Sequence, residues 1–172
     1  GMLRIEPYSE GLRDRIWWGA GSRATAEWTA EKGMNLMSST LLTEDTGIPF
    51  HKLQAEQIER FRDAWEKAGH TREPRVSVSR SIFPLTTDMD RAYFGRDRND
   101  QDQVGHLEGG LARFGRSYAA EPDKLIEELR EDEAIAAADT LLLTIPNQLG
   151  VEYNAHVMES ILNDVAPALG WR

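Results

Sequence analysis

The alternation of short apolar segments with longer segments of helical periodicity constrains the fold of this chain most. The segments with the character of buried strands are residues 15–19, 34–38, 76–83 and 139–145. Two parallel strands cannot be joined by a tight turn and need a crossover, which is usually a helix. The alternation therefore predicts an α/β fold built on about four parallel strands.

Helix start and stop signals fill the intervals between these strands. Ser22 is the expected N-cap of a helix that ends at Gly33, and Thr87 with Asp90 forms an expected capping box. The other predicted helices are an amphipathic one from Phe50 to Trp65 that Gly69 stops, one that Pro122 opens, and a last one from Val151 to Val165 that Pro167 ends. These signals place a helix after each strand.

Residues 95–121 interrupt this rhythm. The segment is polar and rich in glycine, and we expect an irregular insertion or lid there. Its apolar residues Val104, Leu107, Leu111 and Phe114 have the spacing of one weak helical stripe. Residues 2–172 otherwise form a single domain, and Gly1 is interpreted as a remnant of a tag.

Four parallel strands leave two interpretations of the architecture open. An open parallel sheet has two bare edges, and parallel sheets normally have both faces covered. The chain is either a small flavodoxin-like sandwich or half of a (β/α) barrel, which self-association would complete. Spacing and composition do not choose between the two.

Charge and composition exclude several classes of function. The 172 residues include 20 Lys+Arg, 29 Asp+Glu and no cysteine, for a formal net charge of −9. Such a charge disfavours nucleic acid and anionic lipid as partners, and the lack of cysteine excludes disulfides and thiol catalysis. No segment reaches the ~20 apolar residues of a membrane span, and no signal peptide is recognisable. We expect a cytoplasmic protein.

The segment 19–25 is the best candidate for a binding site. Gly19, Gly21, Ser22, Arg23 and Thr25 lie between a predicted strand and a predicted helix. Backbone N–H groups and the positive end of a helix dipole bind phosphate at such a position. The alternative is an ordinary N-cap at Ser22, with glycines that only make the turn.

Two further residues are candidates for the substrate side. Arg80 ends a predicted strand, where it would hold an anion or alternatively form a surface ion pair. Trp18 would line a pocket for a planar ring or alternatively belong to the core. The four histidines are scattered without an i,i+4 pair, so no metal site is predicted.

Seven segments, taken in order, resemble the second half of the bacterial luciferase-like monooxygenase family. They are IWWGAGS at 16–22, TAEWTA at 25–30, GMNL at 33–36, VSVSR at 76–80, PDKLI at 122–126, DTLLL at 139–143 and VAPALGW at 165–171. The resemblance implies the fifth to eighth units of a (β/α)8 barrel, a bound FMN or deazaflavin, and a dimer. By motif position, the flavin phosphate would fall on Gly21, Ser22 and Thr25.

The resemblance also implies an activity, the oxidation of a small molecule by a flavin-dependent monooxygenase or a related oxidoreductase. The units that supply most catalytic groups in this family have no counterpart in the matched segments, so no catalytic residue is assigned. The alternative is a non-catalytic half-barrel that serves as a binding or assembly module.

Overall fold

The computed structural model describes residues 6–43, 46–95, 101–107 and 110–171, with the backbone alone at Leu107. Gly1 and the parts 96–100 and 108–109 of the expected insertion lie outside the described residues. Within them, the chain is a mixed α/β protein centred on one four-stranded parallel sheet.

The central sheet contains the strands β1 (Trp17–Ala20), β2 (Asn35–Ser38), β4 (Val76–Arg80) and β9 (Thr140–Leu143). They lie side by side in the order β1-β2-β4-β9, and every pair is parallel. The four predicted parallel strands are therefore confirmed, with ends displaced by at most two residues except in the predicted strand 76–83, where the central sheet contains residues 76–80 only.

Helices connect these strands. They are α1 (Arg23–Glu31), α2 (Phe50–Lys67), α3 (Asp88–Phe94), α4 (Pro122–Arg130), α5 (Glu133–Ala137), α6 (Gly150–Ser160) and α7 (Ala166–Leu169). Ser22 caps α1, and Thr87 and Asp90 form the capping box of α3. Pro122 occupies the first turn of α4, where its missing N–H leaves no intrahelical bond unmade.

One face of the sheet forms the main hydrophobic core with these helices. Its strand residues are Ala20, Leu36, Val76 and Val78, all fully buried. They pack against apolar side chains of α1, α2 and α5, which include Phe61 at the centre of α2. We call this side of the sheet the helix face.

The residues between these on the same strands point to the opposite side, because side chains alternate along a strand. Gly19, Met37, Ser77 and Thr140 form one row across all four strands. Met37 is 36% exposed and Leu142, two residues after Thr140, is 41% exposed. We call this side the open face.

The predicted strand over 76–83 is two strands. After β4, the chain continues as β5 (Ile82–Pro84), which pairs in parallel with β8 (Tyr118–Ala120) and forms no part of the central sheet. Ile82 is an even number of residues from Val76 and Val78, so its spacing along the sequence did not reveal this change of partner.

The helical stripe expected within 95–121 is wrong. The segment instead contains an antiparallel hairpin of β6 (Gln103–Leu107) and β7 (Gly110–Phe114), and β7 also pairs with β3 (Leu41–Leu42). Gly110 has a φ of 147°, a conformation that favours glycine and suits a hairpin end. Glycine is also a poor helix former, which outweighs the helical spacing of four apolar side chains.

The prediction that Pro167 ends the last helix is also wrong. A π-helical segment, Ile161–Val165, follows α6, and α7 then begins at Ala166 and includes Pro167 in its first turn. A first-turn position does not need the N–H that proline lacks, so the chain stays helical to Leu169.

Among the residues that the structure describes, no helix is both long enough and apolar enough to cross a membrane.

Candidate functional site

The turn between β1 and α1 holds the residues that the sequence singled out for phosphate. Ser22 has extended backbone angles, and its Oγ accepts a hydrogen bond from the Thr25 N–H at 3.2 Å. The Ser22 and Thr25 hydroxyl oxygens lie 3.0 Å apart. The two hydroxyls that were predicted to face a common ligand are therefore neighbours.

Backbone donors at this turn remain available. The N–H groups of Gly21, Ser22 and Ala24 donate no hydrogen bond to any acceptor within the described residues. They lie at the N-terminal end of a nine-residue helix, where the helix dipole favours negative charge. The Gly21 carbonyl, by contrast, accepts hydrogen bonds from the N–H and the hydroxyl of Thr43 at 2.9 and 3.2 Å. The turn is thus anchored through its Gly21 carbonyl, and the N–H groups of Gly21, Ser22 and Ala24 have no acceptor in the described part of the chain.

A buried glutamine of α2 holds this turn in place. Gln57 is almost fully buried, and its Nε2 donates to the carbonyls of Ala20 and Ser22 at 3.1 and 3.0 Å. Its Oε1 accepts from the Ser38 hydroxyl at 2.6 Å. The neighbouring Gln54 donates to the same Ser38 hydroxyl at 3.0 Å. The ends of β1 and β2 are therefore tied to one helix.

Arg23, a predicted phosphate ligand, forms an ion pair with Glu56 of α2. Its Nε and Nη2 donate to the two carboxylate oxygens at 2.9 and 2.6 Å. The Arg23 hydrogen bonds hold the pKa of Glu56 below its ordinary value, although burial acts in the opposite direction. The guanidinium links α1 to α2, so the geometry favours a structural role for Arg23.

Arg80, a predicted substrate-side residue, lies on the helix face and is almost fully buried. Its Nε and Nη2 donate to the carboxylate of Asp132 at 2.7 and 2.9 Å. Burial tends to raise the pKa of Asp132, but the hydrogen bonds and charge of Arg80 outweigh it and lower that pKa. Burial and the Asp132 carboxylate together raise the pKa of Tyr118 to about 12. This geometry also favours a structural role for Arg80.

Trp18, the other substrate-side candidate, is 42% exposed at the edge of the sheet. Its ring meets the ring of Trp28 edge-on, with centroids 5.2 Å apart. Trp18 shares a row with Leu36 and Val76, so it projects toward the helix layer. It therefore lies apart from the open face.

The hairpin of β6 and β7 is attached to the first turn of α2. The Asp102 carboxylate accepts a hydrogen bond from the Phe50 N–H at 2.6 Å, and it lies 3.6 Å from the guanidinium of Arg113. A polar cavity of about 360 Å³ lies beside this contact, and its wall includes His51, Arg116 and Glu128. The segment that was predicted to be a lid is thus linked to the body of the protein at Asp102.

A second polar cluster was not foreseen from the sequence. The buried Asp90 carboxylate accepts hydrogen bonds from the Tyr153 hydroxyl at 2.7 Å and from His156 at 3.0 Å, besides those of Thr86 and Thr87. Burial tends to raise the pKa of Asp90, but these hydrogen bonds lower it well below its ordinary value. Tyr153 and His156 are three residues apart on α6, and this spacing is the signal the sequence offered.

No group of three or more His, Cys, Asp or Glu side chains suited to a metal ion occurs in the described part of the chain.

Comparison with known proteins gives a structural likeness. No protein-family model matches the chain, and no curated protein matches it in sequence. The chain is similar to the crystal structure of the monooxygenase RslO1 from Streptomyces bottropensis, with a TM-score of 0.57 and 16% sequence identity. The match covers 90% of this chain and 48% of that one. The chain is thus similar in fold to about half of that structure.

Proposed function

We propose that this protein is a flavin-dependent oxidoreductase of the luciferase-like monooxygenase type, which binds the flavin phosphate at the turn between β1 and α1. One observation carries the proposal: three backbone N–H groups and a pair of hydroxyls are grouped at a helix N-terminus, at the carboxyl end of a parallel strand. Ligands of parallel α/β sheets bind outside the carboxyl ends of the strands.

The proposed architecture is a partial (β/α) barrel that corresponds to the fifth to eighth units. In such a barrel, neighbouring strands follow chain order and the helices form one outer layer. The order β1-β2-β4-β9 and the core on the helix face agree with this arrangement. A flavodoxin-like sandwich would have an order that departs from the sequence and helices on both faces. The sheet therefore supports the barrel interpretation.

The residues of the turn fit a phosphate dianion. Ser22 and Thr25 share one hydroxyl–hydroxyl hydrogen bond, so one O–H of the pair stays free to donate. That O–H and the N–H groups of Gly21, Ser22 and Ala24 would donate to phosphate oxygens. These are charge-assisted bonds, which are stronger than bonds between neutral groups. No cation is required, which agrees with the pairing of Arg23 to Glu56.

A bound FMN or deazaflavin supplies the electron-transfer chemistry, and the protein binds and orients it. Gly19, beside the turn, carries no side chain on the open face, which leaves space for a flavin chain to pass. The substrate would be a small molecule. The hairpin near Asp102 is the proposed substrate-side element, and Arg80 is left out because its guanidinium is ion-paired with Asp132. The absence of cysteine supports a cytoplasmic location.

The second candidate function is a non-catalytic module that keeps the phosphate site without turnover. It is favoured by the half-length match to a monooxygenase and by the commitment of both candidate arginines to ion pairs. In either case we propose that the protein self-associates as a homodimer.

The test compares FMN with riboflavin, which lacks the phosphate, by titration against the purified protein. We expect the wild type to bind FMN more tightly. Ser22→Ala should weaken FMN binding about tenfold, the change expected for the loss of one charge-assisted hydrogen bond, and leave riboflavin binding unchanged.

Thr87→Ala is the matched control, because it removes the N-cap hydroxyl of α3 and lies in a different turn. It should destabilise the protein as much as Ser22→Ala does, with no change in FMN affinity. Equal binding of FMN and riboflavin by the wild type would refute the phosphate site. A saturable FMN site without turnover of any aldehyde, alkane or sulfonate tested would select the non-catalytic module.

A further inference from the structure

Among the described residues, no strand pairs with the outer edge of β1 or of β9 in the central sheet. At β1, the carbonyls of Ile16 and Ala20 accept hydrogen bonds from the N–H groups of Asn35 and Ser39 on the β2 side. Because backbone groups alternate in direction along a strand, those of Trp17 and Gly19 point away from the sheet. At β9, the Thr144 N–H donates to the Arg80 carbonyl at 2.9 Å. By the same alternation, Leu141 and Leu143 point their backbone groups outward.

An apolar cleft runs along the β9 edge. It has a volume of about 600 Å³ and lies between this strand, α5 and the C-terminal helical segments. Its wall includes Leu141, Leu143, Ile161, Leu162 and Trp171. Leu162 is 65% exposed, although Ile161 and Val165 of the same segment are buried. The C-terminal helical segments therefore leave an apolar gap where a further strand and helix would pack.

The opposite edge carries an apolar projection. Trp18 and Trp28 are 42% and 39% exposed, and they contact each other edge-on. Trp18 projects toward the helix layer, and the cleft beside β9 lies in the same layer. The same chain therefore has an apolar projection at its β1 edge and an apolar cleft at its β9 edge, and both lie in the helix layer.

We infer that a second copy of this chain occupies both edges, with β1 of each protomer paired in parallel with β9 of its partner. A two-fold axis along the strand direction keeps all eight strands parallel and forms both contacts at once. Trp18 and Trp28 of one protomer would enter the cleft beside the partner's Leu162 and Trp171. The inference rests on the proposed self-association, and it does not depend on flavin.

Three observations favour a second copy over an unrelated partner. The chain matches 48% of a monooxygenase structure, so two copies supply the length of the whole. Both halves of the contact occur on the same chain. The aromatic and aliphatic side chains at the two edges are uncharged, which suits the contact of two chains that each carry a formal charge of −9. The ring of strands would also enclose the open face, including Met37 and Leu142.

The test measures the molar mass by light scattering and analytical ultracentrifugation. The wild type should be a dimer. Trp18→Asp and Leu162→Asp should each raise the dimer dissociation constant by at least about 30-fold, because each places a charge at the centre of both contacts. Both positions are exposed in the single chain, so circular dichroism should show unchanged folding. Met89→Asp is the matched control at an exposed apolar position on α3, and it should remain dimeric.

The mixture of the two variants tests the edge-to-edge arrangement. A heterodimer of Trp18→Asp with Leu162→Asp has one contact with both substitutions and one intact contact, so mixing the two monomers should restore dimers. A monomeric wild type, or two monomeric variants that stay apart when mixed, would overturn the inference. The FMN titration has an independent result: a monomer that prefers FMN over riboflavin refutes this dimer alone, and a dimer without that preference refutes the flavin site alone.

Discussion

The helix face and the open face of the central sheet are made by the same strands, yet they differ in residue type and in burial. On the helix face, Ala20, Leu36, Val76 and Val78 are completely buried against α1, α2 and α5. On the open face, the corresponding rows contain glycine, serine and threonine as well as the partly exposed Met37 and Leu142. The first face stabilises the single chain, whereas the second is buried at Ser77 and partly exposed at Met37 and Leu142.

The largest expected effect compares one apolar residue from each face. Phe61→Ala removes a fully buried ring beneath the helix face and should lower the free energy of unfolding by about 3–5 kcal/mol. Met37→Ala on the open face should change it by less than about 0.5 kcal/mol. Urea denaturation in the monomeric Trp18→Asp background measures both. A large loss for Met37→Ala in that background would contradict the contrast between the faces.

The next effect concerns the ion pair under the helix face. Arg80→Met leaves the Asp132 carboxylate buried without its guanidinium partner and should destabilise the fold by about 3 kcal/mol. Glu56→Gln at the more exposed Arg23 pair should cost less than about 1 kcal/mol. Thermal and urea unfolding measure both variants. Equal losses in the free energy of unfolding would show that burial does not determine how much an ion pair contributes to stability.

A smaller effect concerns pH, and it extends the comparison to the cluster around Asp90. Because its pKa is lowered in the folded state, the ionised Asp90 contributes stability fully above the unfolded carboxyl pKa of about 4. That contribution declines as the pH falls from there toward the lower pKa of the folded state. Asp90→Asn should therefore destabilise the protein at neutral pH and flatten its loss of stability below about pH 4. Urea denaturation across this pH range gives the slope, and an unchanged slope would contradict the assignment.

Much of the fold could be predicted from local patterns. The strands, the N-cap at Ser22, the capping box of Thr87 and Asp90, and the helix start at Pro122 all depend on residues close in sequence. The hairpin of β6 and β7 could not, because its glycines and the helical spacing of its apolar residues gave opposite indications. The continuation of the last helix through Pro167 depends on the π-helical segment before it, which no spacing rule revealed.

The candidate site was also predicted only where it depends on residues close in sequence. The neighbouring hydroxyls of Ser22 and Thr25 follow from their positions in one turn. The partners of Arg23 and Arg80 are Glu56 and Asp132, which are 33 and 52 residues away along the chain. Contacts between distant elements depend on tertiary packing, so the sequence identified neither partner.

The position of Gln57 links the turn between β1 and α1 to α2, so an anion bound at the turn should also affect α2. The Gln57 side-chain amide forms hydrogen bonds with the Ala20 carbonyl at the end of β1, the Ser22 carbonyl and the Ser38 hydroxyl at the end of β2. A shift of the turn by a fraction of an ångström would therefore alter hydrogen bonds on α2 as well. The side-chain amide signals of Gln57 would report an anion bound at the turn, through the two carbonyls to which the amide donates.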